Sequence, residues 1–226
     1  MRSVIHIAAL AAAALCIAAA PGGQSPNALT EEERREGYVL LFDGRTLGGW
    51  EGDPVLWSVR DGAIVGSTEG HSIQNPVDLY HKTEFTDFIL KADIKLRNGN
   101  SGIQFRSGVL PGWRMLGYQA DACDEGQQKN GPAWGNFYEQ YGRGRGIMKD
   151  PFEGWRKASA VVRPRDWNTY EILADKKHIR IKLNGAVTID TEDDRASTGL
   201  IGIQLHPGEP MEVAVRNVKV KPLPAK

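Results

Sequence analysis

Residues 88–97 read FILKADIKLR, the clearest alternating run in the chain. Every second side chain is apolar, namely Phe88, Leu90, Ala92, Ile94 and Leu96. Because successive side chains of a β-strand point to opposite faces, a period of two predicts a strand with one buried face and one solvated face. The same alternation of apolar and polar side chains is used to predict strands in the rest of the chain.

Shorter segments of the same kind lie on both sides, and they are separated by turn signals such as Asp61-Gly62 and Asn184-Gly185. Thr30 and Glu33 form a capping-box pattern that predicts a short helix over residues 31–36. Residues 122–159 have little periodicity and are expected to form a long functional loop. We therefore predict an all-β fold, a β-sandwich or jelly roll of two antiparallel sheets with one short N-terminal helix.

The first 20 residues have a basic start and an apolar run, Val4–Ala20, which is typical of a cleaved signal peptide. Residues 21–36 then form a linker and the short helix, and residues 37–226 form a single sandwich domain. A membrane anchor, or a lipid on Cys16, is the alternative reading of the N-terminus. The signal peptide predicts a periplasmic or secreted protein without stable membrane insertion. Beyond it Cys123 is the sole cysteine, so no intrachain disulfide is expected.

The composition limits the possible partners. Lys and Arg number 28, as do Asp and Glu, so the formal net charge is zero. Such a chain lacks the basic footprint of a nucleic-acid-binding protein. The expected partner is a small molecule, and the sequence does not indicate an oligomeric state.

Three apolar segments each carry a polar pair at positions i and i+2. The pairs are Gln104 and Arg106, Gln119 and Asp121, and Gln204 and His206. If these segments are strands, the two members of each pair share one face. Amides, a guanidinium and a carboxylate suit recognition of hydroxyls and carbonyls, so the pairs predict a polar binding surface. The alternative is an ordinary solvated strand face.

The long loop supplies further candidates. Glu139 and Arg143 are four residues apart, which suits either an ion pair on one helical turn or two groups delivered over the polar surface. Tyr138 and Trp134 are predicted to contact substrate, the latter by stacking on a sugar ring. His81 is predicted to reach the site from the rim of the sandwich.

Metal and cofactor chemistry receive little support. Residues 142–146 read GRGRG, but the strand and helix that a phosphate-binding loop requires are not predicted on either side. Asp121, Asp124 and Glu125 could supply oxygen ligands for calcium, which stays an alternative. We expect no metal and no cofactor.

The chain also resembles a known family, the 3-keto-disaccharide hydrolases. The motifs that carry the resemblance include Leu41-Phe42-Asp43-Gly44, Trp57-Ser58-Val59-Arg60-Asp61-Gly62, Asn100-Ser101-Gly102-Ile103-Gln104-Phe105-Arg106, Gly117-Tyr118-Gln119-Ala120-Asp121 and Gly202-Ile203-Gln204-Leu205-His206. The resemblance implies a concanavalin A-like sandwich that is exported and cleaves 3-keto-glycosides. Residues 123–130 depart from the tighter loop expected at that place.

A ketone at sugar C3 acidifies the proton on C2, so a base can remove it and the C1 substituent can leave by β-elimination. This route requires a base, donors for the enolate oxygen and an acid for the leaving oxygen. We assign the base to His206 or Glu139. Arg106, with Gln104 or Gln119, is expected to stabilise the enolate, and Asp121 to orient or protonate the substrate.

The sequence also fits three other functions. The chain could be a non-catalytic carbohydrate-binding module, for which the polar surface would bind sugar without chemistry. It could be a secreted interaction or structural domain. It could also be an ordinary glycosidase that uses two carboxylates, for which Asp121 and Glu139 are the only pair we nominate.

Overall fold

A computed structural model of the chain describes residues 25–124 and 133–224. The predicted signal peptide lies outside the described residues. The helices are α1 (Glu31–Glu36) and α2 (Glu153–Ala158). The strands are β1 (Val39–Leu40), β2 (Trp50–Glu51), β3 (Trp57–Arg60), β4 (Ala63–Ser67), β5 (Val77–His81), β6 (Phe88–Arg97), β7 (Asn100–Leu110), β8 (Arg114–Cys123), β9 (Phe137–Gln140), β10 (Asn168–Asp175), β11 (His178–Leu183), β12 (Ala186–Glu192), β13 (Leu200–Leu205) and β14 (Glu212–Pro222).

The strands form two antiparallel sheets, which confirms the predicted sandwich. An eight-stranded sheet has the order β12-β11-β10-β6-β14-β4-β3, with β1 on β14, and a six-stranded sheet has the order β2-β5-β13-β7-β8-β9. The alternating apolar side chains of β6 are all buried, and those between them are more exposed. They pack in one core against side chains such as Ile103 and Phe105 of β7. Each large apolar side chain that is fully buried contributes roughly 1.5–3 kcal/mol.

The N-terminal helix is held by local contacts and by charge. The predicted capping box is present, since the Thr30 hydroxyl accepts from Glu33 N and the Glu33 carboxylate accepts from Thr30 N. Gly37 ends the helix with φ 87°, a left-handed conformation that favours glycine. None of the residues of α1 is buried. Lys219 of β14 forms an ion pair with Glu33, with Nζ 2.5 Å from Oε1. The helix therefore lies on the outside of the eight-stranded sheet and adds little to the core.

The predicted loop over residues 122–159 contains regular structure. β9 adds an edge strand to the six-stranded sheet, and α2 packs beside β12. A four-residue strand and a six-residue helix are too short for a periodic pattern to emerge from the sequence. Residues 125–132, within this stretch, lie outside the described part of the chain.

The hairpin of β7 and β8 bends over the six-stranded sheet on the side away from the core. Its pairing register shifts between Phe105 and Gly108. Beyond this bulge the hairpin reaches β5, where Asp78 N donates to Trp113 O at 2.6 Å and Met115 N donates to Asp78 Oδ2 at 2.7 Å. The hairpin therefore covers one end of that face.

Candidate functional site

The six-stranded sheet has one face against the core and one face that is polar. Four of the predicted residues, Gln104, Gln119, Asp121 and Gln204, lie on this polar face, because their strand neighbours pack in the core. Gln104 pairs with Gln119 across β7 and β8, and Gln204 pairs with Asp78 across β13 and β5. Alternation within each strand and register between strands thus place these side chains together. We call these five residues the polar face.

Two glycines flatten the middle of this face. A Cβ on Gly102 would lie 2.6 Å from Gln119 Cγ, so the Gln119 side chain lies across Gly102. A Cβ on Gly202 would lie 2.2 Å from Met115 Sδ, so Met115 of the hairpin lies across Gly202. Any larger residue at either position would displace the side chain above it. The glycines therefore let one carboxamide and one thioether lie flat on the sheet.

Asp121 is the carboxyl group best placed for proton transfer. It is 3% exposed, Gln119 Nε2 donates to its Oδ1 at 2.8 Å, and Arg145 Nε lies 4.0 Å from its Oδ2. Burial raises the pKa of Asp121 to about 7, while the Gln119 hydrogen bond and the Arg145 charge oppose the rise. A carboxyl that titrates near neutral pH can both accept and return a proton.

Asp78 is a polar-face residue that the sequence analysis missed. It is fully buried, and burial raises its pKa to about 8, against the opposing effect of the Met115 N–H and the nearby Gln104 carboxamide. Asp78 and Tyr80 stand at positions i and i+2 in β5, which is the spacing of the three polar pairs described above. The single acidic residue was not enough to identify this strand as part of the site.

The polar face holds buried polar atoms that lack a hydrogen-bond partner among the described residues. Two are donors, Gln104 Nε2 and Gln204 Nε2, and two are acceptors, Asp78 Oδ1 and Gln119 Oε1. Buried polar groups are nearly always paired, and exceptions require an explanation such as a ligand. A sugar provides complementary groups, because each hydroxyl both donates and accepts and a ketone accepts.

Arg106 does not belong to the polar face, and the predicted enolate-stabilising role is wrong on geometry. Its φ of 46° lies in the bulge of β7, which reverses the alternation after Gln104. The buried guanidinium donates to Asp87 Oδ1 at 2.8 Å and to three backbone carbonyls. These carbonyls belong to Thr86, Lys176 and Ala196. Arg106 therefore fastens the six-stranded sheet to loops of the opposite sheet.

Glu139 and Arg143 are also on the wrong side for the predicted contacts with substrate. Glu139 pairs with Tyr118 in register, and Tyr118 packs in the core, so Glu139 faces away from Asp121. Arg143 donates to the Glu139 carboxylate and forms a fork with Asp193, at 2.6 and 2.9 Å. Burial acts to raise the pKa of Glu139, but the Arg143 hydrogen bonds and charge outweigh it and hold the pKa below its ordinary value. Glu139 is thus an ion-pair partner, and it cannot flank one glycosidic bond together with Asp121.

Two predicted binding residues are structural instead. Trp134 is buried in the core, stacked on Tyr170 with ring centroids 6.4 Å apart, so it cannot stack on a sugar. His81 pairs with Trp50 on β2 and meets its ring edge-on, and it alternates with Tyr80, so it points to the core side. In both cases the packing partner is distant in the sequence.

Tyr138 and His206 are compatible with the predicted site. Tyr138 pairs with Gln119 in register, and it is partly exposed at the edge of the polar face. His206 follows β13 two positions after Gln204, is partly exposed, and its Nδ1 lies 2.8 Å from Pro207 O. These two residues lie on the rim, nearer to solvent than the buried amides.

The described residues contain no cluster of three or more His, Cys, Asp or Glu side chains arranged to hold a metal ion. Of the calcium alternative, Asp121 and Asp124 are described, and Asp124 Oδ1 accepts from Trp134 Nε1 at 3.2 Å. Glu125 lies outside the described part. Within residues 25–124 and 133–224, the helices are all too short or too polar to cross a membrane.

A family model described as "3-keto-alpha-glucoside-1,2-lyase-like domain" matches residues 37–221. A curated 3-keto-disaccharide hydrolase of Bacteroides thetaiotaomicron is 36% identical over 77 residues, which cover 30% of this chain and 27% of that protein. The match thus spans less than a third of that relative.

Solved structures show the fold. A glycosyl hydrolase candidate from Parabacteroides distasonis superposes with a TM-score of 0.66 at 23% identity, covering 88% of this chain and 100% of that one. The carbohydrate-binding module CBM66 of Bacillus subtilis gives a TM-score of 0.50 at 15% identity, covering 76% and 94%. At these identities the likeness extends to the sandwich and no further.

Proposed function

Because the chain belongs to the 3-keto-α-glucoside-1,2-lyase-like domain family, a carbohydrate-active family, we propose that it is an enzyme that cleaves 3-keto-glycosides, with Asp121 as the base. The observation that carries this proposal is the buried carboxyl of Asp121, whose pKa is about 7, beside unpartnered carboxamide groups. A buried ionisable group costs folding free energy, so a surface that merely bound sugar hydroxyls would be better served by amides alone.

The proposed first step is proton transfer. Asp121 takes the C2 proton of the 3-keto sugar, and the electron pair of the C–H bond moves to form the enolate at C3. The unpartnered N–H group of Gln204 suits the enolate oxygen, since it is a donor on the polar face, whereas the Gln104 carboxamide interacts with Asp78. Arg145, at 4.0 Å, keeps Asp121 partly ionised and so ready to act as a base.

In the second step the enolate re-forms the ketone, and the bond between C1 and the leaving oxygen breaks. The leaving oxygen takes a proton, for which His206 on the rim is the assigned donor. The product is an enone, and release at this stage makes the reaction a lyase reaction. Water added at C1, with a proton returned to C2, completes net hydrolysis. Both outcomes share the step at Asp121.

The test is replacement of Asp121 with Asn, which keeps the shape of the side chain. We expect turnover of a 3-keto-glucoside to fall by roughly 10²–10⁴-fold, the usual contribution of a general base. In D₂O the wild type should exchange the C2 proton of a 3-keto sugar, and the variant should not. Asp190→Asn, at an exposed position on β12, is the matched control and should behave as wild type.

Two outcomes would contradict the proposal. One is an Asp121→Asn protein that folds and retains C2 exchange. The other is equal cleavage of the unoxidised parent glycosides, since the elimination route requires the ketone.

A non-catalytic carbohydrate-binding role is the second candidate. It is favoured by the paired donors and acceptors of the polar face, which suit sugar hydroxyls without any proton transfer. Calorimetry that detects binding of a 3-keto sugar, combined with absence of both exchange and cleavage, would favour this role.

We also propose export to the periplasm or the medium, with removal of a signal peptide. The support is the sequence of residues 1–20 alone. Amino-terminal sequencing of protein recovered from the periplasm tests this, and a cytoplasmic protein that retains Met1 or Arg2 would contradict it.

A further inference from the structure

We propose that Arg143 is a positioning residue for the reaction, because it anchors the loop from which Arg145 reaches Asp121. This inference rests on the proposed function and deepens it. We call residues 141–146 the arginine loop. Its two arginines are two positions apart and serve opposite sides of the six-stranded sheet.

The anchor is a group of charged side chains on the core side of the edge strand β9. Arg143 bonds the carboxylates of Glu139 and Asp193 at once, and Arg195 Nη1 lies 3.3 Å from Glu139 Oε2. Asp193 follows β12 of the opposite sheet, and it also accepts from the Tyr118 hydroxyl. The fork of Arg143 therefore joins the arginine loop to both sheets.

Backbone pairing makes the arginine loop a tight turn. Glu139 N donates to Gly144 O at 2.9 Å, and Gly144 N donates to Glu139 O at 3.1 Å. Gly144 has φ 60°, and a Cβ on Gly142 would lie 2.4 Å from the Glu139 carboxyl carbon. The turn is thus closed around the same carboxylate that binds Arg143, so the anchor and the shape of the loop depend on each other.

The other arginine points to the polar face. Arg145 Nε lies 4.0 Å from Asp121 Oδ2, and its guanidinium lies 5.0 Å from the centre of the Phe152 ring. The titratable groups near Asp121 besides Arg145 are Tyr138 of β9, Cys123 of β8 and Tyr170 of β10, whose hydroxyl donates to Asp121 O from the core side. Each of these three is neutral near pH 7, so Arg145 supplies the positive charge that favours the carboxylate.

The contacts of Arg143 on the core side of β9 are therefore coupled to the contact of Arg145 with Asp121 on the polar face. If the fork of Arg143 is lost, the arginine loop loses its tie to Asp193, and Arg145 moves away from Asp121. The carboxylate form of Asp121 is then less stabilised, so the pKa of Asp121 rises. A residue that only supported the fold would lower stability without moving this titration.

The experiment measures the titration of Asp121 directly. The protein is labelled with ¹³C at aspartate carboxyl carbons, and Asp121→Asn identifies the resonance. We expect Arg145→Gln to raise the titration midpoint by about one pH unit. Arg143→Gln should move it in the same direction, and the double variant should move it no further than Arg145→Gln alone. Arg97→Gln, which breaks an exposed ion pair on β6, is the control.

A midpoint that stays in place in Arg143→Gln while moving in Arg145→Gln would overturn the proposal, as would additive effects or no movement in Arg145→Gln. If Arg143→Gln fails to fold, Glu139→Gln weakens the same anchor from the other side. The titration needs no turnover. Midpoints that move without any cleavage of 3-keto-glycosides would contradict the proposed function and leave the anchor standing.

Discussion

Replacing Arg106 with alanine separates a structural role for this arginine from the catalytic role suggested by its sequence context. The guanidinium is fully buried and donates four hydrogen bonds, one of them to the Asp87 carboxylate. The substitution leaves a half-buried carboxylate and three carbonyl groups without their donor. We therefore expect a large loss of stability and a smaller effect on the chemistry.

The magnitude follows from the burial of the pair. Removing one partner of a buried ion pair costs about 3–5 kcal/mol, since the remaining charge is left uncompensated. Asp87 Oδ1 also accepts from Lys176 N at 2.7 Å, which limits the loss towards the lower end. For a chain of this size, each kcal/mol lowers Tm by about 2–4 °C, so the expected decrease is roughly 6–20 °C.

Urea denaturation followed by tryptophan fluorescence measures the free energy of unfolding, and calorimetry measures Tm. Arg97→Ala is the matched control, because its pair with Glu69 is exposed and should contribute less than about 1 kcal/mol. Arg106→Lys keeps the charge without the fork and should lose most of the stability too. An Arg106→Ala protein as stable as wild type, with turnover of a 3-keto-glycoside reduced a hundredfold, would refute the structural role.

Two further predictions concern the polar face. The pKa of Asp78 is about 8 in the folded protein and has its ordinary value of 3.8 in the unfolded chain, so stability should fall as pH rises between these values. Asp78→Asn should flatten this decline in urea denaturation at pH 5 and pH 8, and an unchanged slope would contradict the assignment. Gly202→Ala places a Cβ 2.2 Å from Met115 Sδ and should destabilise the protein by about 1–3 kcal/mol. Gly108→Ala, where the nearest atom is 3.8 Å away, is its control and should stay near wild type; equal losses would argue against a close contact at Gly202.

The sandwich itself was predictable, because alternation is a local property of an extended chain. Residues 88–97 became β6 with the predicted face buried. The same reasoning placed Gln104, Gln119, Asp121 and Gln204 on one side of their sheet. It failed at Arg106, where one bulged residue reverses the alternation without a distinctive signal in the sequence.

Other errors came from segments treated as loop. Glu139 belongs to a four-residue edge strand, so its side chain follows the parity of β9 and points to the core side. Trp134 is predicted to stack on a sugar ring, yet it stacks on Tyr170, which is 36 positions away in the chain. In both cases the deciding partner comes from another strand.

The amino-acid sequence alone determined the strand periodicity, the capped helix and the side of the sheet that each amide faces, since these depend on neighbours within a few residues. Tertiary structure decided which polar groups meet: Asp78 opposite Gln204, Arg145 beside Asp121, and Arg106 across the two sheets. These contacts depend on the register between strands that are distant in the chain. One bulge or one added edge strand changes them while local propensities stay the same.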